Sequence, residues 1–192
     1  EEISPSYLVH KIYLDVYPKQ VSSTSERCPV AKTQFDNLLQ SGVTMLNYSG
    51  HGGYNAITSE AMMDINSIKT MTNPNLALWF FATCSFAHFD AGKRCAAEEA
   101  VLNKNGGAIA VISACRTVYA SWNMELNKSF CKELFAHTDD YHYDITIGEA
   151  LAWAKNQHMG NTNKLAYHLL GDPALRLHYP DDITVHTTAK QD

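Results

Sequence analysis

The sequence predicts an α/β protein, with a mostly parallel sheet flanked by helices. Three observations carry that expectation. Val43 to Tyr48, Leu76 to Thr83 and Ala108 to Ser113 are short, mainly apolar runs bounded by turn material. Runs of this kind suit strands buried on both faces, which is how parallel sheets read. Helical stretches at about 60–71 and 95–104 lie between them, and strands alternating with helices build α/β layers.

Taken in order, Leu8 to Tyr17 is rich in branched and aromatic residues and ends at Pro18, which predicts a strand. Residues 19–29 are polar and turn-like. Phe35, Leu38 and Leu39 then share a helical face, with Gly42 at its C-cap. The first apolar run stops at Ser49-Gly50-His51-Gly52-Gly53, and the second stops at Cys84. The third follows Asn105-Gly106-Gly107. Leu126, Phe130 and Leu134 define a further helix. Thr146 and Glu149 form a capping box for another, which buries Ile147, Leu151 and Ala154. Gly171-Asp172-Pro173 breaks the chain before a last strand at Ala174 to His178. From Pro180 the chain is polar, so 1–180 reads as one folded unit and 181–192 as a tail or linker to a further domain.

A chain of 192 residues predicts one domain, or a subdomain of something larger. The formal net charge is −5 and no run of Lys or Arg is present. That argues against nucleic acid as a partner, which demands a clustered basic footprint. No apolar stretch approaches the ~20 residues needed to span a bilayer, so no transmembrane segment is expected. The start, Glu1-Glu2-Ile3-Ser4-Pro5, is not a signal peptide; a cytoplasmic protein and an excised piece of an exported one both fit. The cysteine count of 5 is odd, so at least one is unpaired within the chain. No Cys-x-x-Cys pair, zinc-ligand spacing or calcium-type carboxylate spacing occurs, so neither metal nor cofactor is expected.

Sites in open α/β sheets form outside the carboxyl ends of the strands. Two of the buried runs end there in reactive residues, His51 and Cys84. If those strands are parallel neighbours, both side chains reach the same rim. A cysteine attacks as its thiolate, and an imidazole can take its proton and later protonate the leaving amine. Glycine permits close backbone approach, so the Gly52 amide, with that of Cys84, can face a developing oxyanion. Each residue also has a plainer reading. A cysteine at a strand end is commonly a small buried apolar residue, and Gly-His-Gly is ordinary turn material. It is the combination that points to nucleophilic catalysis.

Arg116 follows the third run and has two open readings: a contact to a substrate carboxylate or carbonyl, or a structural ion-pair residue. Glu60 and Asp64 can orient His51, although helix N-termini attract acidic residues in any case. Trp122 either walls a substrate pocket or packs. His88 and Asp90 read as loop residues, and Cys95, Cys115 and Cys131 as core or incidental thiols.

The stretches Asn47-Tyr48-Ser49-Gly50-His51-Gly52-Gly53 and Phe81-Ala82-Thr83-Cys84-Ser85-Phe86 together resemble the gingipain branch of the caspase-like cysteine peptidases. Further segments resemble the sortases of that branch that serve type IX secretion: His10 to Asp15, Gly106 to Ala110 with Arg116 to Ser121, and Leu170-Gly171-Asp172-Pro173-Ala174-Leu175-Arg176-Leu177. The similarity runs from about residue 7 to 180. It implies a caspase-like fold of gingipain type, with Cys84 and His51 as the catalytic dyad. Residues 1–180 would be the carboxyl-terminal subdomain of the peptidase domain, with the acid that orients the histidine lying upstream. It implies a polypeptide substrate, namely the C-terminal sorting domain of secreted proteins, whose cargo passes to a surface glycolipid. Other type IX secretion components would be partners, at the cell surface, outer membrane or periplasmic side of a Bacteroidetes-type bacterium. Sortases of the branch often carry an acidic residue where this chain has Ser85. The alternatives are a gingipain-like secreted endopeptidase and a non-catalytic caspase-like scaffold.

Overall fold

The computed structural model describes residues 7–23, 26–60, 62–135, 137–138, 141–142, 145–158 and 160–177. The tail at 181–192, the opening residues Glu1 to Ser6 and His178 of the expected last strand lie outside the described residues.

The elements follow in chain order. A small antiparallel hairpin pairs β1 (Gln20–Val21) with β2 (Glu26–Arg27). Helix α1 (Pro29–Ser41) starts with proline at its first turn, where the missing N–H costs nothing. It ends at Gly42, whose φ of 93° needs glycine and whose N–H donates to the Leu38 carbonyl. Strand β3 (Met45–Ser49) leads to a second hairpin of β4 (Ala56–Ile57) and β5 (Met63–Asp64), and then to the short helix α2 (Ile65–Lys69). Strand β6 (Ala77–Ala82), helix α3 (Ala96–Leu102), strand β7 (Ala108–Ala114) and helix α4 (Ala120–Leu134) come next. A third hairpin, β8 (His137–Thr138) with β9 (Tyr141–His142), precedes α5 (Ile147–Gln157) and β10 (Tyr167–Leu170).

Four strands form the main sheet in the order β10-β7-β6-β3. β3, β6 and β7 run parallel, and β10 is antiparallel to β7. The expectation of an α/β fold with a mostly parallel sheet between helices therefore holds. All six residues of β6 are buried because both faces are covered. Trp79 and Phe81 stack on each other and pack with the apolar faces of α1, α2 and α3. Leu78 and Phe80 point the other way, into a core with Leu126, Phe130, Ile147 and Leu151 of α4 and α5. The Phe80 ring lies 4.8 Å from that of Phe130 and 5.9 Å from that of Tyr167. Full burial of such side chains stabilises by about 1.5–3 kcal/mol each.

Two expected strands are absent, for identifiable reasons. Leu8 to Tyr17 is an irregular segment with a 3-10 turn at Leu14–Val16. Ile12, Leu14 and Tyr17 anchor it against the core through side chains, and no strand of the main sheet pairs with it. Ala174 to Leu177 is a turn and loop. There the Leu175 and Pro173 carbonyls accept the Ile147 and Gly148 N–H groups, closing the first turn of α5 instead of extending the sheet. The last strand is β10, just before Gly171, whose φ is 137°. The stretch at 60–71 is also less helical than its composition predicts, because β5 occupies part of it. Thr146 and Glu149 form the expected capping box on α5.

Candidate active site

The register of the parallel strands decides where the chemistry can lie. β3 pairs with β6 from Met45↔Leu78 to Ser49↔Ala82, so both strands end at one level. The Gly50 N–H still reaches the Ala82 carbonyl at 3.4 Å. His51 and Cys84 each follow their last paired residue by two positions. The two side chains therefore rise from the same carboxyl rim of adjacent strands. Arg116 follows β7 on the other side of Cys84.

The histidine loop is held from below. The Tyr48 hydroxyl donates to the His51 carbonyl at 2.6 Å, and the Thr58 N–H donates to it at 3.0 Å. Tyr48 arches over Gly50, where an added Cβ would clash with the Tyr48 hydroxyl oxygen. Burial pushes the Tyr48 hydroxyl up to about 12, so it remains a proton donor at neutral pH. Gly52 bridges Ile57 across a tight turn in which the Gly53 N–H donates to Ala56. The His51 side chain stands exposed above this turn.

Cys84 begins a turn laid against the end of β7. Ser85 has φ 53°, a left-handed conformation uncommon for a residue with a Cβ. The Ser85 N–H donates to the Arg116 carbonyl at 3.1 Å, and the Ala87 N–H to the Ala114 carbonyl at 3.0 Å. The Cys84 thiol is half-buried and donates to the Val118 carbonyl at 3.6 Å. No hydrogen bond joins Cys84 to His51 among the described residues. Strand register brings the pair to one rim. Catalytic hydrogen bonds commonly tighten only when substrate is bound.

Two backbone donors lie just beyond the ends of β3 and β6. Among the described residues, the Gly52 and Cys84 N–H groups donate to no protein acceptor. Gly52 lies tight against the Cys84 strand, where an added Cβ would come within 2.6 Å of Thr83 Oγ1. That hydroxyl is buried and has no hydrogen-bond partner among the described residues.

The remaining candidates separate clearly. The Arg116 guanidinium forms a two-pronged pair with Asp90, at 2.9 and 2.5 Å, and also donates to the Cys115 carbonyl at 2.8 Å. In this structure Arg116 is thus engaged as an ion-pair residue. Bidentate pairing with arginine holds the Asp90 carboxyl down at about 2. Glu60 pairs with Lys19 at 2.8 Å. Asp64 caps α2 by accepting from the Ser67 N–H. Both carboxylates thus have partners other than His51. Trp122 makes an edge contact with Tyr119 at 5.8 Å. The other four cysteines are also free thiols. Burial pushes Cys95 up to about 11 and Cys131 up to about 12, which suits inert core thiols. Among the described residues no group of three or more His, Cys, Asp or Glu side chains could hold a metal, and no helix is long and apolar enough to cross a membrane.

The two residues that sequence reasoning assigned least well are Val118, whose carbonyl holds the thiol, and Asp90. A carbonyl acceptor leaves no trace in residue identity. The Asp90–Arg116 pair has opposite charges but lies far apart in sequence, and only the topology brings it together.

Comparison with solved structures supports the same fold. The complex of Porphyromonas gingivalis RgpB pro- and mature domains matches with a TM-score of 0.67 at 18% identity, covering 82% of this chain and 38% of that one. The Arg-specific cysteine proteinase gingipain R (RgpB) matches at 0.66 and 18% identity, covering 82% and 37%. A structure described only as a protease matches at 0.61 and 21%, covering 73% and 36%. The chain thus spans well under half the length of these neighbours, and their likeness shows the gingipain-like caspase fold. No curated protein matches the chain. The model of peptidase family C25 matches residues 1–178, nearly the whole chain, and this chain belongs to that family.

Proposed function

We propose that the protein is a cysteine-type peptidase with Cys84 as nucleophile and His51 as its proton-transfer partner. The observation that carries this reading is the shared end point of β3 and β6, which delivers a thiol and an imidazole to one rim beside two unengaged amides. The Cys84 thiolate attacks the scissile carbonyl carbon, and the carbonyl electron pair moves to oxygen. The Gly52 and Cys84 N–H groups donate to that oxyanion; one such donor typically contributes ~2.7–4 kcal/mol to the transition state. His51 gives its proton to the departing amine, leaving a thioester. Water or another amine then attacks the thioester and regenerates the thiol.

The finer reading is a PorU-like sortase of type IX secretion. It removes a C-terminal sorting domain and passes the cargo to an amine on a surface glycolipid, at the cell surface of a Bacteroidetes-type bacterium and alongside other secretion components. Its support is sequence resemblance in five segments, ending in Gly171-Asp172-Pro173-Ala174-Leu175-Arg176-Leu177. The gingipain-like neighbours favour a second reading, a secreted endopeptidase in which water is the acceptor. Arg116 is not needed as a substrate contact in either. A non-catalytic scaffold is the weaker reading, because it gives no reason for two free amides beside a cysteine.

The decisive experiment offers full-length protein a cargo bearing a sorting domain, together with an amine acceptor, and weighs the product. A sortase yields cargo joined to the amine, and an endopeptidase yields the free acid. Uncut cargo, with the protein folded, would refute both.

A further inference from the structure

We infer that Asp90 and Arg116 form a positioning pair that sets the geometry of the Cys84 turn. The inference rests on the reading of Cys84 as nucleophile and assigns a role to two residues outside the dyad. Residues 84–90 leave the sheet after β6 and are laid on residues 114–118, the end of β7. Four links join the two segments: Ala87 N–H to Ala114, Ser85 N–H to Arg116, the Cys84 thiol to Val118, and Asp90 to the Arg116 guanidinium. Arg116 holds the turn at both ends. Its carbonyl fixes the residue next to the nucleophile, and its side chain fixes the residue six positions after it. The Nη1 bond to the Cys115 carbonyl locks the guanidinium plane onto its own backbone. His88 Nε2 lies 3.5 Å from Asp90 Oδ1, and His168 and Cys115 are further titratable groups that interact electrostatically with the pair.

Such a clamp is needed at this place. Ser85 sits at φ 53°, which is unfavourable for a residue with a Cβ and persists only where surrounding contacts over-determine it. The pair is half-exposed, with side-chain exposures of 52% and 46%, so it adds little to global stability. Planar two-pronged geometry nevertheless fixes direction, and lysine cannot replace it.

The test uses Asp90→Asn, Arg116→Lys and the double variant in full-length protein, with three readouts: the alkylation rate of the Cys84 thiol, kcat against KM on a peptide, and the melting temperature. Positioning predicts a three- to tenfold drop in both the alkylation rate and kcat for each single variant. The double variant should be no worse than the poorer single one, KM should stay within twofold, and melting should move by no more than a couple of degrees. If Arg116 binds substrate instead, Arg116→Lys raises KM while Asp90→Asn leaves kcat intact, and the proposal fails. Unchanged alkylation in all three variants, with wild-type peptide cleavage present, overturns positioning and leaves the peptidase reading standing. Slower alkylation in the variants, with no cleavage even by wild type, upholds positioning and removes the peptidase reading.

Discussion

Replacing Gly52 by alanine perturbs the candidate oxyanion hole with a single methyl group. The new Cβ would lie 2.6 Å from Thr83 Oγ1, 3.1 Å from Thr83 Cγ2 and 3.2 Å from the Ala56 carbonyl oxygen. Ordinary contact needs ~3.5 Å, so the His51–Gly52 loop must retreat by roughly 1 Å. Thr83 cannot easily give way, because it is fully buried beside the packed sheet. A misplacement of that size at a catalytic group costs on the order of 100-fold, and loss of one oxyanion donor costs about 100- to 1,000-fold in kcat. The expected result for Gly52→Ala is therefore a kcat lower by at least 100-fold, with KM little changed. Adding Thr83→Ala removes the two nearest atoms and should recover about a tenth or more of the wild-type rate. The assay is steady-state cleavage of a peptide by the full-length protein, with the Cys84 alkylation rate as a control for the thiol. Activity within threefold of wild type for Gly52→Ala alone would refute the placement of this loop. So would a double variant no better than the single one.

Two further outcomes test the scaffold around the site. Burial raises the Tyr48 hydroxyl to about 12, while an unfolded tyrosine titrates near ~10. Its contribution to stability is therefore complete below pH ~10 and lost as pH rises through about 12. Tyr48→Phe should be less stable than wild type by about 1 kcal/mol at pH 8, from loss of the bond to the His51 carbonyl. That difference should shrink between pH 10 and 12 in denaturant titrations, and a constant gap would contradict the burial argument. Thr146→Ala removes the side chain that accepts from the Glu149 N–H at the start of α5. It should lower unfolding free energy by about 1 kcal/mol, measured in urea, without changing Cys84 reactivity.

Much of this arrangement was legible in the chain because the physics was local. The second and third apolar runs are buried parallel strands, because both faces of the sheet are covered there and residues such as Phe80 and Phe81 face opposite cores. The first run, β3, is parallel too but lies at the sheet edge and is only partly buried, contrary to the expectation. Gly42 and the Thr146–Glu149 box marked helix ends through backbone requirements of their own. His51 and Cys84 were found because each follows a run that must end where the sheet ends. The failures share a different origin. Leu8 to Tyr17 has strand-like composition, but a strand also needs a neighbour with a free edge. Here Ile12, Leu14 and Tyr17 satisfy the core as a loop while Leu8, Tyr13 and Val16 remain exposed. Ala174 to Leu177 looked extended because it is apolar and follows Gly-Asp-Pro, yet its carbonyls serve α5. Arg116 offered two readings because its partner Asp90 lies in another loop, and nothing in the spacing ties them together.

The most direct test measures iodoacetamide labelling of all five cysteines as a function of pH, resolved by peptide mass, in wild type and in His51→Ala. Near neutral pH, Cys95 and Cys131 should be almost silent, because their raised values leave them nearly all thiol. Cys84 should label at least tenfold faster than any other cysteine and slow by at least tenfold when the imidazole is removed. Labelling of Cys84 no faster than the rest, or untouched by loss of His51, would contradict the claim that the ends of β3 and β6 assemble a working dyad.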